Sequence, residues 1–87
     1  MFTGYLAGDN NTTGSNNVFV GHNAQPSANN FTNAGAIGAN AFVGASNSIV
    51  IGSINGVNGW AGTSTNVGIG LTTPAFRLDV GNGDVKM

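Results

Sequence analysis

The side chains able to do chemistry are few in this 87-residue chain and lie far apart in sequence. His22, the one histidine, directly follows Gly21. An imidazole there could touch a metal or a receptor. No second ligand type accompanies it, which favours a polar corner residue. Asp9, followed by Asn10 and Asn11, has the ingredients of an oxygen-rich calcium corner. It lacks an EF-hand spacing and the Gly-Gly-x-Gly-x-Asp repeat, so a solvated turn is the favoured reading. Asp79 and Asp84 flank Gly81-Asn82-Gly83. As a pair they would be glycosidase carboxylates, but nothing in the pattern builds a cleft around them. Keeping a strand edge soluble is the favoured role. Arg77 and Asp79 fall on one face of a predicted strand, as a surface or interchain pair.

Serine and threonine are plentiful, yet no base and orienting acid stand near them. Gly68-Ile69-Gly70 has neither the following helix nor the Gly-Lys-Ser/Thr of a phosphate loop. Trp60 sits in the long insertion 55–65. Its ring either fills space under an irregular loop or offers a platform for a sugar or another surface ligand. Phe19 and Phe42 read as core, and Phe31 as a cover for a coil end or a neighbouring chain. No catalytic, cofactor-binding or metal-ligating residue is assigned, and the chain is expected not to be an enzyme.

Composition narrows the partners. Charged residues make up 6 % of the chain, against about 25 % in an ordinary soluble domain. Residues 10–76 carry no formal charge except on His22 when protonated. No basic patch exists for nucleic acid, and no polybasic segment for an anionic membrane surface. The longest apolar runs are far short of a membrane span, and no signal-peptide pattern is read. Without cysteine there is no disulfide framework and no thiolate metal site. Hydrophobic residues are 40 % of the chain and net charge is −1, which is not the signature of disorder.

The elements that must position these side chains come from a recurring motif of small or apolar residues, a β-branched residue and glycine. It reads Val18-Phe19-Val20-Gly21, Gly35-Ala36-Ile37-Gly38, Ile49-Val50-Ile51-Gly52 and Val67-Gly68-Ile69-Gly70. A fainter copy is Met1-Phe2-Thr3-Gly4. The glycines recur every 14 to 18 residues, a period that means stacked units. Aligned on the glycine, the coils are approximately 1–17, 18–34, 35–48 and 49–66, with a fifth unit at 67–80.

Alternation of period two makes each motif a strand, with Val18 and Val20, Ile49 and Ile51, and Val67 and Ile69 on one face. The intervening residues are also apolar or small, as in parallel sheets covered on both sides. Glycine density forbids a stable helix. Short parallel strands therefore stack about 4.8 Å apart into a solenoid. Asn-rich turns close each coil, and stacked asparagines could form amide ladders. A coil this small cannot cover both faces of its strand, so the second face asks for some partner, most economically other copies of the chain.

Residues 36–52, Ala-Ile-Gly-Ala-Asn-Ala-Phe-Val-Gly-Ala-Ser-Asn-Ser-Ile-Val-Ile-Gly, resemble the head repeat of trimeric autotransporter adhesins, with its Ser-Val-Ala-Ile-Gly core. Looser copies extend over 1–70. Residues 66–80, Asn-Val-Gly-Ile-Gly-Leu-Thr-Thr-Pro-Ala-Phe-Arg-Leu-Asp-Val, resemble a segment of phage and bacterial tail-fibre proteins, with Leu71 in place of the usual threonine. These resemblances imply an all-β, left-handed parallel β-roll of about five short coils, trimeric and stacked along a fibre axis. Repeats would occupy 1–70. The last strand and a connector toward a stalk or chaperone domain would occupy 67–87.

The implied trimer and core strands carry Val18, Val20, Ile37, Ile49, Ile51, Val67 and Ile69, ended by turn glycines Gly21, Gly38, Gly52 and Gly70. The expected function is a structural segment of a trimeric adhesin head or tail fibre that displays and spaces attachment regions. Its location would be extracellular, at a cell surface or on a virion tail. The alternative is a module that binds a surface glycan or receptor directly through outward loops and Trp60.

Overall fold

The computed structural model describes residues 1–83 and Lys86. Asp84, and with it the paired-carboxylate reading, lies outside the described residues. The chain is all-β and winds as a solenoid of roughly three turns. Four strands form one parallel sheet in the order β1 (Phe2–Thr3), β2 (Val18–Val20), β4 (Ala34–Ile37), β6 (Ser48–Ile51). Between them, β3 (Gln25–Pro26) pairs in parallel with β5 (Phe42–Val43) to make a second, narrower sheet. β7 (Val67–Ile69) and β8 (Leu78–Val80) pair apart from both, and a short 3₁₀ turn, Gly81–Gly83, follows.

Register puts like on like. Phe2, Phe19, Ala36 and Val50 form one column across the four strands, and Thr3, Val20, Ile37 and Ile51 the next. Each of these strands ends in a glycine at positive φ: Gly4 at 125°, Gly21 at 132°, Gly38 at 116° and Gly52 at 93°. The reason is steric as well as torsional. A Cβ on Gly21 would lie 2.5 Å from the Gly38 carbonyl carbon of the next rung. The sharp bend and the tight rung spacing both require glycine.

Asparagine serves the other corners. Asn23 and Asn40 follow the glycines, and Asn16, Asn33 and Asn47 precede the next strand; all five are left-handed, with φ between 56° and 60°. Asparagine tolerates that region better than other side-chain-bearing residues. Their amides stack as the sequence allowed. Asn23 Nδ2 donates to Asn40 Oδ1 at 3.3 Å, and Asn33 Nδ2 to Asn47 Oδ1 at 3.1 Å. Leu6 stands at the head of the first column, also left-handed at φ 61°.

The interior is thin. Phe19, Ala24, Ala34, Ala36, Ala41 and Val43 are buried, with Ala7, Phe31 and Val50 packed against them. Phe19 fits because Ala36 occupies the same place one rung on. On its other side it meets the ring of Phe2 at 5.0 Å. Two buried amides complete the coil. Asn17 Nδ2 donates to the Phe31 carbonyl at 2.7 Å, and its Oδ1 accepts from Ala34 N at 2.9 Å. Gln25 Nε2 donates to the Leu6 carbonyl at 2.7 Å, and its Oε1 accepts from Asn10 N at 2.9 Å. Each buried amide thus has both its oxygen and its nitrogen engaged, as burial demands. Pro26 is accommodated because the neighbouring residues, Gln25 and Ser27, donate the ladder bonds to Ala41 and Val43.

The stack differs from five coils in series. β7 does not join β6. Thr65 occupies the next place in the glycine column instead: its Cβ is 2.5 Å from where a Cβ on Gly52 would stand. Thr65 Oγ1 accepts from Ser53 N at 3.0 Å, and Thr65 N donates to the Ser53 carbonyl at 3.0 Å. The insertion thus closes back on the rung it left, and a bulky, branched residue ends a column that glycine had propagated. Residues 67–81 begin a separate stack. There Val67 faces Leu78 and Ile69 faces Val80, and a Cβ on Gly81 would lie 2.8 Å from the Gly70 carbonyl oxygen. Within the segment expected as last strand and connector, Val67–Ile69 and Leu78–Val80 form two paired rungs.

Candidate functional site

The predicted strand residues divide between two sheets. Val18, Val20, Ile37, Ile49 and Ile51 lie on the four-stranded sheet, on the face away from Phe19 and Ala36. Val18 is 38 % exposed, Ile37 39 %, Ile49 69 % and Ile51 56 %. Val20 is half-buried. Gly35 falls between Val18 and Ile49 in register, and a Cβ there would meet Ile49 Cγ1 at 3.4 Å, so the isoleucine side chain covers the gap. The outcome is a continuous apolar, β-branched stripe open to solvent. Val67 and Ile69 are on the separate β7–β8 sheet and do not extend its hydrogen-bonded ladder. Ile69, Phe76 and Leu78 expose apolar surface on that smaller unit. All four predicted turn glycines, Gly70 included, are at positive φ.

The polar candidates lie at corners. His22 is exposed and stacks on Tyr5 of the preceding coil, ring centroids 5.5 Å apart and planes 18° from parallel. One motif step separates the two rings, so the stack follows directly from the coil repeat. Among the described residues no group of three histidine, cysteine or acidic side chains is placed to hold a metal ion. Arg77 and Asp79 serve separate ends of the C-terminal loop: Arg77 Nη1 donates to Asn66 Oδ1 at 2.8 Å, and Asp79 Oδ2 accepts from Ala75 N at 2.9 Å. Within the chain the two side chains make these local bonds rather than a pair with each other.

Trp60 is half-buried and turned onto its own loop. Its indole N–H donates to the Thr63 carbonyl at 3.1 Å, and its ring lies over Gly62. The same loop is pinned to the coil by Asn58. Asn58 Nδ2 reaches the Asn23 carbonyl at 2.7 Å and the Asn40 carbonyl at 3.3 Å. That contact joins residues 35 positions apart and was invisible in the local pattern, where Asn58-Gly59 reads only as a turn.

Sequence reasoning also missed a groove. Asp9, Asn10 and Thr12 of one corner loop and Ser27, Ala28 and Asn29 of the next surround an open depression of about 530 Å³. The signal available was the equal excess length of two neighbouring coils.

Among the described residues no helix is long and apolar enough to cross a membrane. Comparison of the chain with family models, curated proteins and solved structures finds no match.

Proposed function

We propose that the chain is a structural segment of a homotrimeric fibre, an adhesin head or tail-fibre piece that spaces attachment regions at a cell surface or on a virion. The observation that supports this reading best is the exposed stripe Val18, Ile37, Ile49 and Ile51 on a parallel sheet whose other face is already the coil interior. Full burial of such a side chain contributes about 1.5–3 kcal/mol. These are partly covered already, so the gain for each is a fraction of that. Association costs about 4–15 kcal/mol, so several stripes must meet around one seam. Three chains about an axis would cover them all, as in the left-handed β-roll that the repeat resembles. The role is then geometric, with stacked rungs giving stiffness and outward corners giving avidity.

The test is the solution mass by light scattering over a dilution series, on the wild-type chain and on Ile51→Asp. A constant mass of three chains is expected for wild type, and a monomer for the variant, because three carboxylates would converge on an apolar seam. A wild-type monomer, or an Ile51→Asp trimer of unchanged melting temperature, would overturn the proposal. Direct recognition of a glycan or receptor through Trp60 is the second reading. It has less support, since the ring is engaged with its own loop.

A further inference from the structure

The polar groove at the long corners has a chemistry of its own, on a different surface from the apolar stripe. The first three motif glycines are 17 residues apart and the next interval is 14. The extra residues go into the corners: residues 27–33 join β3 to β4, whereas residues 44–47 suffice to join β5 to β6. The first coil carries an equally long corner at 10–16, one repeat earlier. The two long corners stack, and the groove runs between equivalent positions, Asn10 with Ser27 and Thr12 with Asn29.

The backbone of this groove is held firmly. Thr12 N, Thr13 N and Gly14 N all donate to the Asn29 carbonyl, at 3.1, 2.9 and 3.2 Å. Asn10 N is fixed by the buried amide of Gln25. The side chains are a different matter. Most asparagine amides in the chain are spent internally, as at positions 17, 23, 33, 58 and 66. Around the groove, the Asp9 carboxylate, the Asn10 and Asn29 carboxamides and the Thr12 and Ser27 hydroxyls make no side-chain hydrogen bond among the described residues. Five exposed polar residues whose side chains make no internal hydrogen bond line one open depression of about 530 Å³, on backbone already fixed by hydrogen bonds.

We propose that this groove binds a neutral saccharide. A carboxylate accepts from two neighbouring hydroxyls, a carboxamide both donates and accepts, and a hydroxyl does either. That mixed set matches vicinal sugar hydroxyls. Asp9 is the only formal charge among residues 1–76 apart from the N-terminus and any charge on His22, so an anionic ligand would be repelled. Ala28 is the only apolar side chain in the lining, so a hydrophobic ligand has no wall to bury against. A calcium ion takes six to eight oxygens, usually with several carboxylates, and here there is one.

The experiment is an amide-shift titration of the ¹⁵N-labelled full chain with neutral oligosaccharides (maltohexaose, cellohexaose and chitohexaose), and separately with calcium chloride. Saturable shifts at Asn10, Thr12, Ser27 and Asn29, with the Trp60 indole N–H unmoved, are expected for at least one sugar. Asp9→Ala should weaken that binding on the order of tenfold, the effect of one charge-assisted hydrogen bond. Ser27→Tyr should block it by filling the groove; both positions are exposed, and circular dichroism checks the fold. Absence of shifts with all three sugars, shifts centred on Trp60, or shifts with calcium alone would each overturn the proposal. None of these outcomes bears on the solution mass, so failure here is distinct from failure of the fibre reading.

Discussion

At the residue scale, two left-handed positions make opposite demands on the chain. Gly21 meets its torsion and its neighbour only because it lacks a Cβ. Gly21→Ala should cost more than the about 1–3 kcal/mol of a strained torsion, since the added methyl also meets the Gly38 backbone. A fall in the urea midpoint checks it. Leu6 is the reverse case: a branched side chain held at φ 61° where equivalent coils carry Asn23 and Asn40. Left-handed backbone costs such a residue about 1–2 kcal/mol. Leu6→Asn should therefore raise stability by about 1 kcal/mol, partly through a new amide contact to Asn23. An unchanged or lower midpoint would show that the half-exposed leucine packs more usefully than the ladder would.

At the scale of elements, the insertion 53–66 decides where the main stack ends. Thr65 fills the place a glycine would need to leave open, and Asn58 ties the loop tip to the Asn23 and Asn40 carbonyls. Asn58→Ala removes those donors while leaving β1 to β6 untouched. It should speed amide hydrogen exchange in residues 54–65 well beyond its effect on the strands, because the loop has few other bonds to the coil. Equal protection in both would mean the loop is held by Ser53 and Thr65 alone. The local sequence marked Asn58-Gly59 as a turn but could not show what its amide reaches, since the partner lies 35 residues away. Asn17 and Gln25 are similar. Polar residues beside a strand read as surface, yet both are buried, each amide bridging a backbone N–H and a carbonyl of neighbouring segments.

At the scale of the whole molecule, shape and charge set the terms of association. The chain measures 42 × 30 × 19 Å, and its thin coil interior offers room mainly for alanine and one phenylalanine. Apolar surface is thus left outside by necessity. Because residues 10–76 carry no formal charge other than on His22, assembly through the stripe should be nearly indifferent to ionic strength. The mass of the proposed trimer is expected to stay constant from about 0.05 to 0.5 M salt, where screening would weaken a charged interface. Dissociation on raising salt would place the contact on the charged C-terminal unit instead.

The sequence by itself determined the repeat, the glycine-ended motif strands, the parallel stacking of the first four and the corners that close them. Period-two β-branched motifs, glycines and left-handed asparagines act within a few residues of themselves, so their meaning is local. Only the tertiary structure decided that β7 leaves the stack, that Leu78–Val80 pairs with it, and that two long corners lie side by side around an open groove. Those outcomes depend on which residue arrives beside which rung: Thr65 against Gly52, Gly81 against Gly70. Such contacts are fixed by steric fit and hydrogen bonding between residues that are distant in the chain, and a one-dimensional pattern does not encode their geometry.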